Sequence, residues 1–228
     1  MQRPELRKTE DVFNRVMVKD NITVVTLLES KDTSERIIVA NAHLHWDPQF
    51  KDVKLVQTAM LMEELENVTK NYANLPPRHQ IHQYLAQNPS RYPTIICGDF
   101  NSLPNSGVYE FLSGGTIPLD HEDFGSYKYG RYTTEGLSHS ITVKSAYSHI
   151  DELEFTNFTP NFKGVIDYVW YAANSFTITG LLACVDADYM KKCVGFPNWH
   201  HPSDHIPIVV SLKMKPLSHV QKGVARFK

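Results

Sequence analysis

Four short segments hold most of the residues that could do chemistry: Asn41-Ala42-His43-Leu44-His45-Trp46-Asp47-Pro48, Cys97-Gly98-Asp99-Phe100-Asn101-Ser102, Val165-Ile166-Asp167-Tyr168 and Pro202-Ser203-Asp204-His205-Ile206-Pro207. Each adjoins an apolar or β-branched run, which puts its polar residues at a strand end, the usual position of a site in a layered α/β fold. Singly they are weak, because a strand-end histidine is more often structural than catalytic and a Gly-Asp pair is as often a turn as an active site. Asp167 is different: it interrupts an apolar strand, and a buried carboxylate without a partner is strongly unfavourable, so it calls for a histidine. Together the segments supply carboxylates, an asparagine and histidines, the set needed to hydrolyse a phosphate ester with a hard divalent metal. Asp and Asn oxygens suit Mg²⁺, and imidazoles can donate to the charge on a pentacovalent phosphorus. A zinc site built from His43-X-His45 and His200-His201 competes. No cysteine is suitably spaced for it, and a strand would hold His43 and His45 on one face without a third ligand.

The elements that must position these residues follow from patterning. Ile22 to Leu28 and Ile37 to Ala42, separated by Lys31-Asp32-Thr33-Ser34, read as a hairpin. Between Lys51 and Tyr72 the residues Val53, Val56, Met60, Leu61, Leu65, Val68 and Tyr72 recur at steps of three and four, which predicts an amphipathic helix packing one face on a sheet. Residues 74–92 read as a connection with room for one short helix, and Thr94 to Cys97 as a strand running into Gly98. A short helix is expected over Gly107 to Leu112 and a long surface loop over Gly114 to Gly136. Val165 to Ala172, Phe176 to Cys184 and Ile206 to Leu212 read as strands, and residues 213–228, basic and without an acidic residue, as a tail. The irregular alternation of strands and helices favours an α/β sandwich with mixed or antiparallel sheets over a doubly wound parallel sheet.

The 228 residues are 42% hydrophobic and 21% charged with a net charge of -2, enough for a self-sufficient core and inconsistent with disorder or collagen-like repetition. The near-neutral balance argues against broad coating of a nucleic-acid duplex while leaving room for a local phosphate-binding cleft. Cys97, Cys184 and Cys193 are odd in number and show no CxxC spacing, which fits a reducing compartment. The absence of an 18-residue apolar run and the polar opening after Met1 lead us to expect a soluble, non-secreted chain with no membrane partner.

Taken in order, His43 in an Asn-X-His-Leu strand, Gly98 to Ser102, Ile166-Asp167-Tyr168 and Ser203 to Pro207 resemble the endonuclease/exonuclease/phosphatase superfamily. Within it, His43 to Pro48, Asn157-Phe158-Thr159-Pro160 and Phe162 to Tyr168 are similar to the carbon catabolite repressor deadenylases, poly(A)-trimming nucleases of the eukaryotic cytoplasm, over nearly all of residues 9–213. The resemblance implies an α/β fold of two packed sheets and a Mg²⁺-dependent 3′–5′ exoribonuclease that shortens poly(A) and releases 5′-AMP. It also implies deadenylase-complex partners and a cytoplasmic, and also nuclear, location. It makes Asp99 the residue that orients or deprotonates the attacking water and helps hold a second Mg²⁺. His205 would contact the scissile phosphate with Asp167 fixing its orientation, His43 would stabilise the phosphorane, and Asp204 would support the metal and water region. Asn101, Asn157, Pro48 and Phe162 fall where the family grips the adenine end, and a Phe ring and a Pro can sandwich a purine whose edge an Asn amide contacts. On the residues alone, Phe162 could equally be a core aromatic and Asn157 a turn residue before Pro160.

The resemblance also places the principal metal-ligating glutamate, with an accompanying asparagine, upstream of the segment matching Thr9 onward, and no Gln-Glu-Val or equivalent precedes Ile22. It therefore implies that residues 1–215 are the C-terminal portion of a nuclease domain whose N-terminal half is missing, followed by a basic tail at 216–228. The usual leucine-rich-repeat docking region is absent too. The expected consequences are weak or no cleavage by this chain alone, and association through an uncovered apolar sheet face. Two other functions fit the same residues: an inactive nuclease-like scaffold that binds RNA or protein, and a related phosphodiesterase with another substrate.

Overall fold

The computed structural model describes residues 9–73, 75, 85, 88 and 91–215; most of the expected 74–92 connection and the tail at 216–228 lie outside the described residues. Eleven strands are formed among them: β1 (Thr23–Glu29), β2 (Arg36–His43), β3 (Thr94–Asp99), β4 (Thr116–Ile117), β5 (Leu137–Ser138), β6 (Val143–Ser145), β7 (Asn157–Thr159), β8 (Phe162–Gly164), β9 (Asp167–Ala172), β10 (Phe176–Leu181) and β11 (Val210–Met214). The two longer helices are α1 (Lys51–Ala73) and α2 (Gly107–Gly114). A five-stranded sheet of order β1-β2-β3-β9-β6 forms the frame, and β10-β11, β4-β5 and β7-β8 form three two-stranded sheets. Within the frame only β2 and β3 run parallel, with α1 as the crossover between them; the other pairs are antiparallel, so the sheet is mixed as expected.

The β-branched runs pair as their pattern requires. β1 and β2 form the expected hairpin, from Thr23 opposite Ala42 to Glu29 opposite Arg36. One face of the frame, carrying Ile38, Ala40, Ile96 and Trp170, is fully buried with Val53, Val56, Met62 and Leu65 of α1 and Phe111 of α2 in a single apolar cluster. Each large side chain so buried contributes roughly 1.5–3 kcal/mol. The opposite face is less covered: Ile37, Val39, Ile95 and Val169 are only half-buried, and Ile22, Val24, Leu27 and Leu28 on or beside β1 are exposed.

Two expectations are corrected by one arrangement. The region Gly114 to Gly136 is irregular but is not a surface loop, because Phe124, Tyr129 and Tyr132 are buried to within 2% of full burial. They pack around α1, which is consequently buried on more than one face over its first two turns rather than presenting a single apolar stripe. The wrap is fastened by polar contacts from α1: Asp52 accepts from Arg15 Nε at 2.7 Å and from the Tyr129 hydroxyl, Glu63 pairs with Arg131, and Glu66 accepts from Ser140 N and Oγ. α2 runs two residues past the expected end, with Ser106 Oγ accepting from Tyr109 N at its start and Gly115 (φ +81°) terminating it. The last strand is shifted to Val210–Met214, since Asp204 and Ile206 bond instead to the backbone of Phe158 and Thr156; the tail therefore begins later than residue 213. Among the described residues no helix is long and apolar enough to cross a membrane.

Candidate active site

The frame itself assembles the site. In the β2-β3-β9 register His43 lies opposite Asp99, and Asp99 opposite Asp167, so three neighbouring strands present these side chains in one row on one face. His43 Nε2 is 3.6 Å from Asp99 Oδ2. The fourth member comes from the Ser203–Ile206 segment, which is held against β7: Asn157 bridges His205 through the backbone, Phe158 N donates to Asp204 O, and Ile206 N donates to Thr156 O. This puts His205 Nδ1 2.8 Å from Asp167 Oδ2 and His205 Nε2 3.9 Å from Asp99 Oδ2. The histidine expected as partner for Asp167 is thus His205, with Nε2 turned toward Asp99.

The electrostatics follow from this crowding. Burial, then the neighbouring charge of Asp167, pushes the Asp99 carboxyl above the usual range, against the backbone N–H of Asn101 and the two imidazoles that pull it down. Burial disfavours the His205 imidazolium, but the bond to Asp167 and the charges of Asp167, Asp99 and Asp204 outweigh it and raise its pKa. Asp99, Asp167 and His205 each offer a ligand atom within 4.8 Å of the others. Two carboxylates crowded so that one resists ionisation are what a divalent cation relieves, and the oxygen donors suit a hard one, so the residues present fit such an ion. The zinc alternative gathers no comparable set among the described residues. β2 ends at His43, and His45, instead of sharing its face, is buried edge-on against Phe50 with ring centroids 5.0 Å apart.

Asn101 sits at φ +47°, a left-handed conformation that Asn tolerates better than most residues. Three bonds hold it there: its N–H donates to Asp99 Oδ1 at 2.8 Å, its Nδ2 to Leu44 O at 3.1 Å, and its carbonyl accepts from Lys54 Nζ at 2.7 Å. Asn157 is 6% exposed, opens β7 and donates from Nδ2 to Asp204 Oδ2 at 3.0 Å, so it is a site-bracing residue and not a turn. Phe162 is 39% exposed, which excludes the core-aromatic reading.

All the expected site residues except Asp167 line one open cavity of about 890 Å³: His43, Pro48, Asp99, Asn101, Asn157, Phe162, Asp204 and His205. Trp46, Lys51 and Lys54 line it as well and were not singled out from the sequence. Trp46 falls inside the His43 to Pro48 segment. Lys54 had one signal, a lysine set among Val53, Leu55 and Val56.

Residues 10–205 match the model of the endonuclease/exonuclease/phosphatase family. The chain belongs to this family. It is similar to two proteins called CCR4-Not complex 3′-5′-exoribonuclease subunit Ccr4: 51% identical over 220 residues to that of Mycosarcoma maydis, covering 94% of this chain and 33% of the relative, and 50% identical to that of Schizosaccharomyces pombe, covering 94% and 32%. The chain thus spans about a third of the length of these relatives. Among solved structures, ANGEL2, described as a 2′,3′-cyclic phosphatase in complex with adenosine-2′,3′-vanadate, aligns with TM-score 0.67 at 24% identity over 92% of this chain and 64% of that one. The human Nocturnin catalytic domain aligns with TM-score 0.57 at 20% identity over 86% and 54%. These two likenesses concern the fold alone, and they agree with the expected α/β sandwich.

Proposed function

We propose that this chain carries the phosphate- and base-binding part of a Mg²⁺-dependent 3′–5′ exoribonuclease that shortens poly(A). The observation that carries the proposal is the row His43-Asp99-Asp167 closed by His205, with His43, Asp99 and His205 lining a cavity that the exposed Pro48 and Phe162 also line. Its support from outside the molecule is the similarity to exoribonuclease subunits across 94% of the chain.

In this reaction a water oxygen bonds to the phosphorus of the terminal linkage and the bond from phosphorus to the 3′ oxygen of the preceding nucleotide breaks, releasing 5′-AMP. In this reading Asp99 would orient that water and take its proton, a role served by a carboxyl whose pKa is held above the usual value. His205, fixed through Nδ1 by Asp167, presents Nε2 to the phosphate, and its raised pKa favours the protonated, donating form. His43, exposed on the other side of Asp99, would donate to a non-bridging oxygen as negative charge builds. Asp204 keeps Asn157 in place and Asn157 keeps the His205 segment in place. Asp99 would hold Mg²⁺, which supplies positive charge at the phosphoryl oxygens when bound. We also propose, because the two relatives are named as subunits of the CCR4-Not complex, that the protein assembles with deadenylase-complex subunits.

Base recognition gives the test. If Phe162 and Pro48 sandwich the terminal adenine, Phe162→Ala should weaken binding of oligo(A) by about 1–3 kcal/mol and of oligo(U) by less. Equal losses for the two would remove adenine from the account.

A further inference from the structure

Lys54 is the only buried lysine among the described residues, 5% exposed on the first turn of α1. Its ammonium has three N–H donors, and one is used, on the Asn101 carbonyl at 2.7 Å. Asp123, Asp47 and Asp99 are the carboxylates whose charges reach it, yet none forms an ion pair with it. Asp123, the strongest of these influences, is engaged elsewhere: it accepts from Gly107 N at 2.8 Å and faces Lys51 Nζ at 3.7 Å. Burial accordingly pulls the Lys54 pKa below that of an ordinary lysine.

A largely buried ammonium with no ion-pair partner is costly, and holding one carbonyl in place needs only a neutral donor. The unused donors are at a residue that lines the open cavity beside Asn101, where an incoming anion would find them. Resting on the RNA reading above, we propose that Lys54 is a substrate-binding residue whose remaining N–H donors hold a non-bridging oxygen of a backbone phosphate in the bound single strand. The substrate thus supplies the direct ion-pair partner that none of these carboxylates provides. Anchoring the Asn101 turn and reading the phosphate are then linked, because the same ammonium braces the loop that presents Asp99.

The test is anisotropy binding of labelled oligo(A) to residues 1–228 in EDTA, so that nothing is cut. The strand is all-phosphodiester or carries one neutral methylphosphonate at each linkage near the 3′ end in turn. Lys54→Met should weaken the all-phosphodiester strand about tenfold or more, since a charge-assisted bond is lost. One methylphosphonate position should weaken the wild type by a similar factor and have no further effect on Lys54→Met. Lys54→Gln, which keeps a neutral donor, should behave as Met does, and serves in its place if Met melts without cooperativity. Unchanged affinity in both variants, or equal weakening of every strand whatever its methylphosphonate position, overturns the inference: the first shows no contact, the second a purely structural lysine. A cooperatively folded wild type that fails to bind oligo(A) at all overturns the RNA reading as well.

Discussion

Replacing Gly98 by alanine should separate what the sheet does for the site from what the site residues do themselves. Gly98 lies opposite Ala42 in the parallel β2-β3 pair, one residue before Asp99, with φ +135°. A Cβ there would sit 1.9 Å from the Ala42 carbonyl oxygen and 3.0 Å from its nitrogen, all backbone atoms that no rotamer change can move. The unfavourable φ costs about 1–3 kcal/mol. Forcing the strands apart adds about 1–3 kcal/mol of overpacking. Weakening one or two ladder bonds adds about 0.5–1.5 kcal/mol each. The expected loss is roughly 2.5–9 kcal/mol, a large share of the roughly 5–15 kcal/mol that holds a domain together. Because the same strands set the 3.6 Å between His43 and Asp99, folded Gly98→Ala should also lose divalent-ion and oligo(A) affinity. Urea unfolding provides the measurement, with Gly114→Ala as control: a Cβ at Gly114 meets nothing within 4 Å, so that change should be neutral or mildly stabilising. A Gly98→Ala loss below about 1 kcal/mol would refute the reasoning, because so close an approach cannot be relieved that gently.

Asp167→Asn should lower the His205 pKa, read by NMR titration of the imidazole, because burial then meets less opposing charge. The raised folded pKa of His205 means that its contribution to stability is complete below the unfolded value near 6.5 and is lost as pH rises through the folded pKa, so the mutant should show a smaller loss across that window. An unchanged titration would detach His205 from Asp167. Asp52→Ala, which strands Arg15 and the buried Tyr129 hydroxyl, should cost about 3–5 kcal/mol in urea unfolding; a surface-like loss under about 1 kcal/mol would show that the Gly114 to Gly136 wrap is not fastened there.

The longer elements were legible in the sequence because their patterns are strong: the two β-branched runs of the hairpin, the three- and four-residue steps of α1, and Thr94 to Cys97 all formed where expected. β6, β7 and β8 were not, since three residues such as Val143-Lys144-Ser145 or Asn157-Phe158-Thr159 carry too little alternation to register as strands. The buried wrap escaped because Phe124, Tyr129 and Tyr132 anchor it at irregular spacings, with glycines between them that read as loop. The site was legible as a set: Asp167 demanded a partner and His205 supplied it. What the spacing does not show is that His43, Asp99 and Asp167 become neighbours through strand register, or that Lys54, in a helix read for its apolar face, turns its ammonium to Asn101.

If Asp99, Asp167 and His205 form the working part of the proposed poly(A) exonuclease, substitution into a relative tests it most directly. Residues 9–215 would replace the matching segment of the Schizosaccharomyces pombe relative, which supplies the remaining length, and 5′-labelled oligo(A) would be followed over time in Mg²⁺, with EDTA and Asp99→Ala alongside. Stepwise shortening from the 3′ end that stops in EDTA and falls at least about a hundredfold with Asp99→Ala is the predicted result. Shortening that is indifferent to Asp99→Ala, or none from a chimera that melts cooperatively and binds oligo(A), would contradict it.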